Sequence, residues 1–415
     1  MLAVNHPNGL IDPLFLLCLS PRPVSFLAKA PLFEMPVISW FVKALGSIPV
    51  YRRQDGGFDP AKNRQTFERA RAILATGGVI AIFPEGASHD DPKMRPLKTG
   101  AARIALGAAA IKAAPVGSDG PPLTIVPLGI YYTAKRLFRS SALLYFGEPV
   151  SVAPAPLKPN GEPPSDAVHA VTDRIEQALN DVTLQADEHE ALALVTRAEE
   201  VFSSEDPGAA ERLVDKFELR RRFMAGYAML RTQAPERLEA ITGRITRYET
   251  ELREAGLDPQ TLRPAGPRGA RQVGETTKAL GILILGLPLA LIGAIVNYPA
   301  YRMVGFIATG LSRGDEGIVA TIKLIAGALL FPLAWIVVAL AVGFSFGALA
   351  GVGALVLAPI SGYVALLVFE RLDDLRAGAR AALVSRFQRW GYLRLVAERT
   401  AIREEILQLA ADFEA

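Results

Sequence analysis

Residues Asn5 to Pro13 read NHPNGLIDP, which sets a histidine and an aspartate six positions apart with Pro7 and Gly9 between them. An imidazole titrating at about 6.5 can take a proton near neutral pH. A carboxylate on its other ring nitrogen would fix the tautomer and stabilise the imidazolium as it forms. The proline and glycine turn the chain, so Asp12 can fold back onto His6. The same spacing also suits a loop or a helix cap, and the general-base reading therefore needs other groups beside it.

Three further stretches supply them. IFPEGASHD, Ile82 to Asp90, follows an apolar run and sets Glu85, Gly86, Ser88 and His89 where a strand would deliver them to the C-terminal edge of a sheet, the ligand side of an α/β layer. MRPLKTGAA adds Arg95 and Lys98 just ahead of a helical stretch whose first amides favour an anion. GSIPVYRR, Gly46 to Arg53, closes another apolar run with Arg52 and Arg53, whose guanidinium forks suit a phosphate. Each alone is an ordinary solvated edge; four in order point to a base beside an anion grip. No serine or cysteine adjoins His6 as a covalent nucleophile, so direct attack by a hydroxyl is the expected chemistry.

The elements that must position these groups alternate. PVSFLAK, GSIPVYR, VIAIFPEG, LTIVPLGIYYT and ALLYFGEPV have strand character, while PAKNRQTFERARAILATGG and KTGAARIALGAAAIKA have helical periodicity. MLAV reads as the closing residues of a strand. Residues 1–155 are thus expected to form an α/β domain, a mostly parallel sheet flanked by helices. A Pro-rich linker over 156–165 and a charged helical region over 166–275 follow.

In order, NHPNGLIDP, GSIPVYRR, FPEGASHD with PLKTGAA, and IVPLGI resemble the four blocks of the glycerolipid acyltransferase family, which includes the glycerol-3-phosphate and lysophosphatidate acyltransferases. The resemblance covers roughly the first 150 residues. It implies that His6 is the general base and Asp12 its partner, that Arg52 with Glu85 and Gly86 binds the acceptor's phosphate end, and that Pro127 shapes the acyl-donor side. Two departures stand out: five residues separate His6 from Asp12 where the family commonly has four, and the third block is FPEGASHD rather than FPEGTRS. Both are similar to a subgroup resembling the fungal glycerol-3-phosphate/dihydroxyacetone-phosphate acyltransferases and their bacterial relatives. The resemblance implies an acyl-CoA or acyl carrier protein as co-substrate and no resident cofactor or metal. The acceptor stays open among glycerol-3-phosphate, dihydroxyacetone phosphate, 1-acylglycerol-3-phosphate and another lyso-lipid, and a non-catalytic membrane lipid-binding protein is the alternative of a different class.

Composition agrees with a membrane setting. The 415 residues carry 45 basic and 42 acidic side chains, a net charge of +3, too balanced for a nucleic-acid binder. Mean hydropathy is +0.25, unusually high for a soluble enzyme. The excess is concentrated in 279–301, 23 residues without a charge, and 324–369, 46 without one. A helix needs about 20 apolar residues to cross the hydrocarbon core, so 324–369 fits a transmembrane hairpin turning at its glycines. Pro288 makes 279–301 a crossing or a re-entrant segment, and the shared cationic character of the flanks favours the latter, with the active site facing the cytoplasm. An amphipathic helix is expected over 370–415. Cys18, the only cysteine, permits no internal disulfide and is expected in the core. The lipid bilayer is the expected partner, and oligomeric state is left open.

Overall fold

The computed structural model describes residues 1–52, 59–113, 122–135, 137–203, 212–257, 262, 270–312, 316–387 and 389–414. The chain divides into two units, 1–187 with 315–321, and 188–314 with 322–415.

Among the described residues the first unit is built on seven strands: β1 (Leu2–Val4), β2 (Val24–Lys29), β3 (Ile48–Val50), β4 (Val79–Ile82), β5 (Leu123–Tyr132), β6 (Ala142–Phe146) and β7 (Val150–Val152). Their order is β3-β2-β4-β1-β5-β6, with β7 also on β5. The first five run parallel, and β6 and β7 are antiparallel to β5. Short β1 lies at the centre, its Ala3 opposite Ile82 of β4 and Pro127 of β5.

A parallel sheet needs cover on both faces, so its strands are apolar on both. Ala3, Ile80, Ile82 and Ile125 turn to the core shared with α3 (Pro60–Ala75), α4 (Gly100–Ala113) and α5 (Ser165–Asn180). Val4, Val24, Phe26, Ala81, Leu128 and Ile130 pack with Leu16 of α1 (Ile11–Leu19). A 3-10 turn, Ala30–Phe33, and α2 (Pro36–Ala44) link β2 to β3. Each Ile or Leu fully buried here contributes roughly 1.5–3 kcal/mol of transfer free energy. α4 is buried on nearly every side, which its alanines and Gly107 allow: Gly107 leaves no room for a Cβ beside the Arg71 side chain of α3. α3 starts cleanly because Asp59 accepts from the Ala61 and Lys62 amides at 2.9 and 3.2 Å, with Pro60 in the first turn. It stops at Gly77, whose φ of +83° suits glycine.

Two sequence expectations change here. Cys18 is exposed, because α1 turns Asp12 and Leu16 inward, four residues apart, and carries Cys18 on the opposite side. The first helix of the charged region, α5, belongs to the α/β layer: Val168, Val171, Ile175 and Leu179 form a helical stripe buried in its core.

The second unit holds α6 (His189–Ser203), α7 (Leu213–Gln233), α8 (Pro235–Ala255), α9 (Ala270–Ser312), most of α10 (Glu316–Phe346), α11 (Ala348–Phe387) and α12 (Arg389–Glu414). Val201, Ile241, Ile245, Tyr248, Leu252, Leu395 and Ile402 join α6, α8 and α12 in one core. Arg244 spans from α8 to Glu398 and Glu405 of α12 at 2.6 and 2.7 Å. Its hydrogen bonds raise the Arg244 pKa and lower that of Glu398.

Among the described residues, three helical stretches are long and apolar enough to cross a membrane, Leu283–Ser312, Val319–Phe346 and Ala348–Asp373. The first is part of one unbroken helix through Pro288 and Pro299 rather than a turned-back loop. Gly347, at φ +94°, separates α10 from α11. α9 and α11 are in close contact through small residues: a Cβ on Gly293 would collide with the Ser361 backbone, and Ala290, Ala365 and Val368 are buried between them.

Candidate active site

Strand register brings the distant motifs together. Ala3 of β1 pairs with Ile82 of β4, so three residues further along His6 stands against Glu85. The His6 amide donates to Glu85 Oε1 at 3.3 Å, and the His6 carbonyl accepts from the His89 amide at 3.2 Å. On the other side, Asn5 ends β1 by exchanging side-chain hydrogen bonds with the Ile130 backbone of β5, at 2.7 and 3.1 Å.

Within this frame the NHPNGLIDP loop closes on itself. Asp12 lies in the first turn of α1, where the helix dipole favours an anion. Its Oδ2 is 2.7 Å from His6 Nδ1 and accepts from the Asn8 amide at 2.8 Å. Its Oδ1 accepts from the Tyr132 hydroxyl at 2.7 Å. The carboxylate is fully buried, and such a group is stable only with its lone pairs occupied. With Nδ1–H turned to Asp12, His6 presents Nε2 with a free lone pair. Its ring stacks on Phe83 at 4.0 Å and 16°, which holds its plane.

Glu85 faces inward and is 4% exposed. Besides the His6 amide it accepts from the Arg95 amide at 2.9 Å, and its Oε2 bonds His89 Nε2. The Asp91 amide donates to His89 Nδ1 at 3.2 Å, which leaves the His89 proton on Nε2, pointing at Glu85. Gly86 has φ +78°, a backbone state that favours glycine, and the Lys98 side chain lies over it. The Lys98 amide donates to the Pro84 carbonyl at 2.7 Å, and the Arg52 guanidinium donates to the Gly86 carbonyl. Arg52 and Lys98 are thus brought to one turn from residues 34 and 12 positions either side of Gly86.

Of the sequence candidates, His6, Asp12, Arg52, Glu85, Gly86 and Lys98 form this connected cluster. Ser88 is half-buried in the same loop. Pro127 is buried inside β5, below the strand end, where its carbonyl accepts from Gly147 and its missing N–H falls between the pairing of β5 with β7 and with β6. Arg53 lies outside the described residues. Tyr132, Phe83 and Asn5 were not singled out from sequence. Nothing in IYYT separates a tyrosine donating to the Asp12 carboxylate from an ordinary strand tyrosine.

A histidine just past the end of a central parallel strand, backed by a buried aspartate on the following helix and a Pro-Glu-Gly turn after the next strand, sets a base and its orienting acid at the ligand edge of the sheet. A family model described as Acyltransferase matches residues 1–131 of the chain, the part that carries this site. More particularly, the chain is similar to glycerol-3-phosphate O-acyltransferase 1 of Saccharomyces cerevisiae, 29% identical over 286 residues, which are 65% of this chain and 36% of that one. Glycerol-3-phosphate O-acyltransferase 2 of the same yeast is 30% identical over 195 residues, 47% of this chain and 25% of that one. The 1-acyl-sn-glycerol-3-phosphate acyltransferase of Bacillus subtilis is 27% identical over 183 residues, 43% of this chain and 81% of that one. The chain therefore spans about a third or less of the length of the two yeast relatives.

Proposed function

We propose that the protein transfers a fatty acyl chain from acyl-CoA or acyl carrier protein to the hydroxyl of a phosphorylated glycerol acceptor, at a membrane surface. The observation that carries this reading is the His6–Asp12 pair, 2.7 Å apart, with Nε2 of His6 left open. In the step it supports, Nε2 takes the proton as the acceptor's oxygen attacks the thioester carbonyl carbon. The tetrahedral intermediate then collapses: the C–S bond breaks, the ester C–O bond remains, and His6 returns the proton to the leaving thiolate. Asp12 stabilises the imidazolium between the two transfers.

Arg52 and Lys98 supply the grip on the acceptor's phosphate. Glu85 is better suited to a different task. Its oxygens already accept from His6, His89 and Arg95, and a carboxylate and a phosphate are both anionic acceptors that repel. We assign Glu85 to bracing the loop that holds His6, and leave Gly86 to give the phosphate close access to backbone. The two yeast relatives support glycerol-3-phosphate as acceptor. The Bacillus relative, 81% of which aligns here, supports 1-acylglycerol-3-phosphate as the second reading. The three apolar helices agree with an acceptor or product held in lipid.

The deciding experiment offers labelled acyl-CoA and acyl carrier protein to the detergent-solubilised protein. Glycerol-3-phosphate, dihydroxyacetone phosphate and lysophosphatidate are supplied in parallel and the products separated. Turnover with one or more phosphorylated acceptors is expected, with His6→Ala reducing it roughly 10²–10⁴-fold. A wild-type rate in His6→Ala would remove the base assignment, and no acylation of any of the three would remove the proposed reaction.

A further inference from the structure

Tyr132 ends β5, and its hydroxyl reaches Oδ1 of Asp12 across 120 residues of sequence. The Asp12 carboxylate is fully buried, and its other oxygen already serves His6 and the Asn8 amide. Tyr132 therefore occupies the acceptor that the His6 loop itself leaves open. We propose that Tyr132 is a positioning residue for the general base, its phenolic O–H setting how strongly Asp12 draws on His6. The proposal rests on the general-base reading of His6.

The physical effect has two parts. A carboxylate held at Oδ1 from β5 and at Oδ2 from its own loop cannot rotate, so the imidazole plane it orients is fixed as well. A carboxylate that accepts one more hydrogen bond also has its charge partly spent and is a weaker partner for an imidazolium. Tyr132 thus trades some imidazolium stabilisation for geometry, and lowers the pH at which His6 becomes an effective base.

Tyr132 is suited to this because it stays a donor. Burial first, then the charge of Asp12 and the hydrogen bond to it, push the phenol far above its ordinary range. Among the described residues, the ionisable groups around the pair come from three elements: Asp12 from α1, Tyr132 from β5, and Glu85 and His89 from the loop after β4. Of these, Glu85 and His89 meet His6 through its backbone, while Asp12 meets the ring. Phe15 of α1 lies 6.3 Å from the Tyr132 ring, and Phe83 stacks on His6; neither titrates. Lys135, just beyond β5, is paired with Asp90. Removal of the hydroxyl therefore changes one interaction with the carboxylate and adds no new charge.

The test is the pH dependence of kcat for the full-length protein with Tyr132→Phe and with Tyr132 replaced by 3-fluorotyrosine, a stronger donor of nearly the same volume. Tyr132→Phe is expected to lower kcat about 5- to 30-fold with both KM values within about twofold. It should move the acid limb to higher pH by roughly half to one unit, the scale of one hydrogen bond. The fluorinated side chain should move that limb to lower pH with unchanged thermal stability. A purely structural tyrosine would change yield or Tm and leave the limb in place, so an unmoved limb in the fluorinated protein overturns the proposal even if Tyr132→Phe does not fold. His6→Ala, run alongside, separates the two assignments. Full activity there would sink the base reading itself, whereas a dead His6→Ala with unmoved limbs sinks Tyr132 alone.

Discussion

The backbone amide of His6 donates to the carboxylate of Glu85, 79 residues away in sequence, at 3.3 Å. Each of these residues belongs to a separate motif, and the hydrogen bond makes the second motif a scaffold for the first. Glu85 then gathers His89 and the Arg95 amide on the same carboxylate. His6 is thus held from below by a buried acid, three of whose roughly four lone-pair sites already receive protein donors.

Glu85→Gln follows from that arrangement. The amide keeps an acceptor but turns an NH2 group toward donors, so at least one of them loses its partner. A stability loss of about 1–3 kcal/mol is expected, read as a lower Tm in detergent, with kcat reduced and the KM for the phosphorylated acceptor within about twofold. A large rise in that KM with kcat unchanged would return Glu85 to the acceptor site.

Asp12→Asn keeps the size of the side chain and removes the charge that orients the ring. The amide can present NH2 to His6 Nδ1 and select the wrong tautomer, so activity should fall by roughly 10²–10⁴-fold while acceptor KM changes little. Initial rates with labelled acyl donor are the measurement.

Arg52→Ala removes a charged donor from the turn at Gly86. The KM for a phosphorylated acceptor should rise roughly tenfold or more, the scale of a charge-assisted hydrogen bond, and the KM for the acyl donor should stay put. Equal changes in both would mean the turn itself had collapsed.

Alkaline stability should carry a Tyr132 signature. Its folded pKa is raised, so the native state keeps the phenolic proton above about pH 10, where an unfolded tyrosine loses it. The unfolded state then binds fewer protons. The stability this residue contributes is complete below about pH 10 and declines as pH rises further. The Tm of the wild type should fall more steeply between about pH 9.5 and 11 than that of Tyr132→Phe. Parallel slopes would contradict the shift.

Gly293→Val tests the contact between α9 and α11. A side chain there meets the Ser361 backbone directly, so the helices must separate. A loss of about 1–3 kcal/mol is expected, seen as a lower Tm in detergent, whereas Gly281→Val, where a Cβ meets nothing, should leave Tm in place.

Much of the fold can be read from local pattern. The apolar runs that became β2, β3, β4 and β5, the Asp59-Pro60 start and Gly77 stop of α3, and the charge-free stretches of α9 to α11 are all statements about neighbouring residues. Hydrophobic periodicity and capping act over a few positions, so the chain displays them directly. The same holds for the pairing of His6 with Asp12, which needs only one loop.

What the sequence could not contain is register and facing. That Ala3 pairs with Ile82 decides that His6 meets Glu85; that β5 flanks β1 decides that Tyr132 reaches Asp12. Both depend on strand order in a sheet assembled from distant segments, where burial of both faces of the whole layer sets the choice. The inward turn of Glu85, the exposure of Cys18 and the place of α5 against the sheet have the same origin. Local composition names the chemical groups, and only the packed layers determine which of them touch.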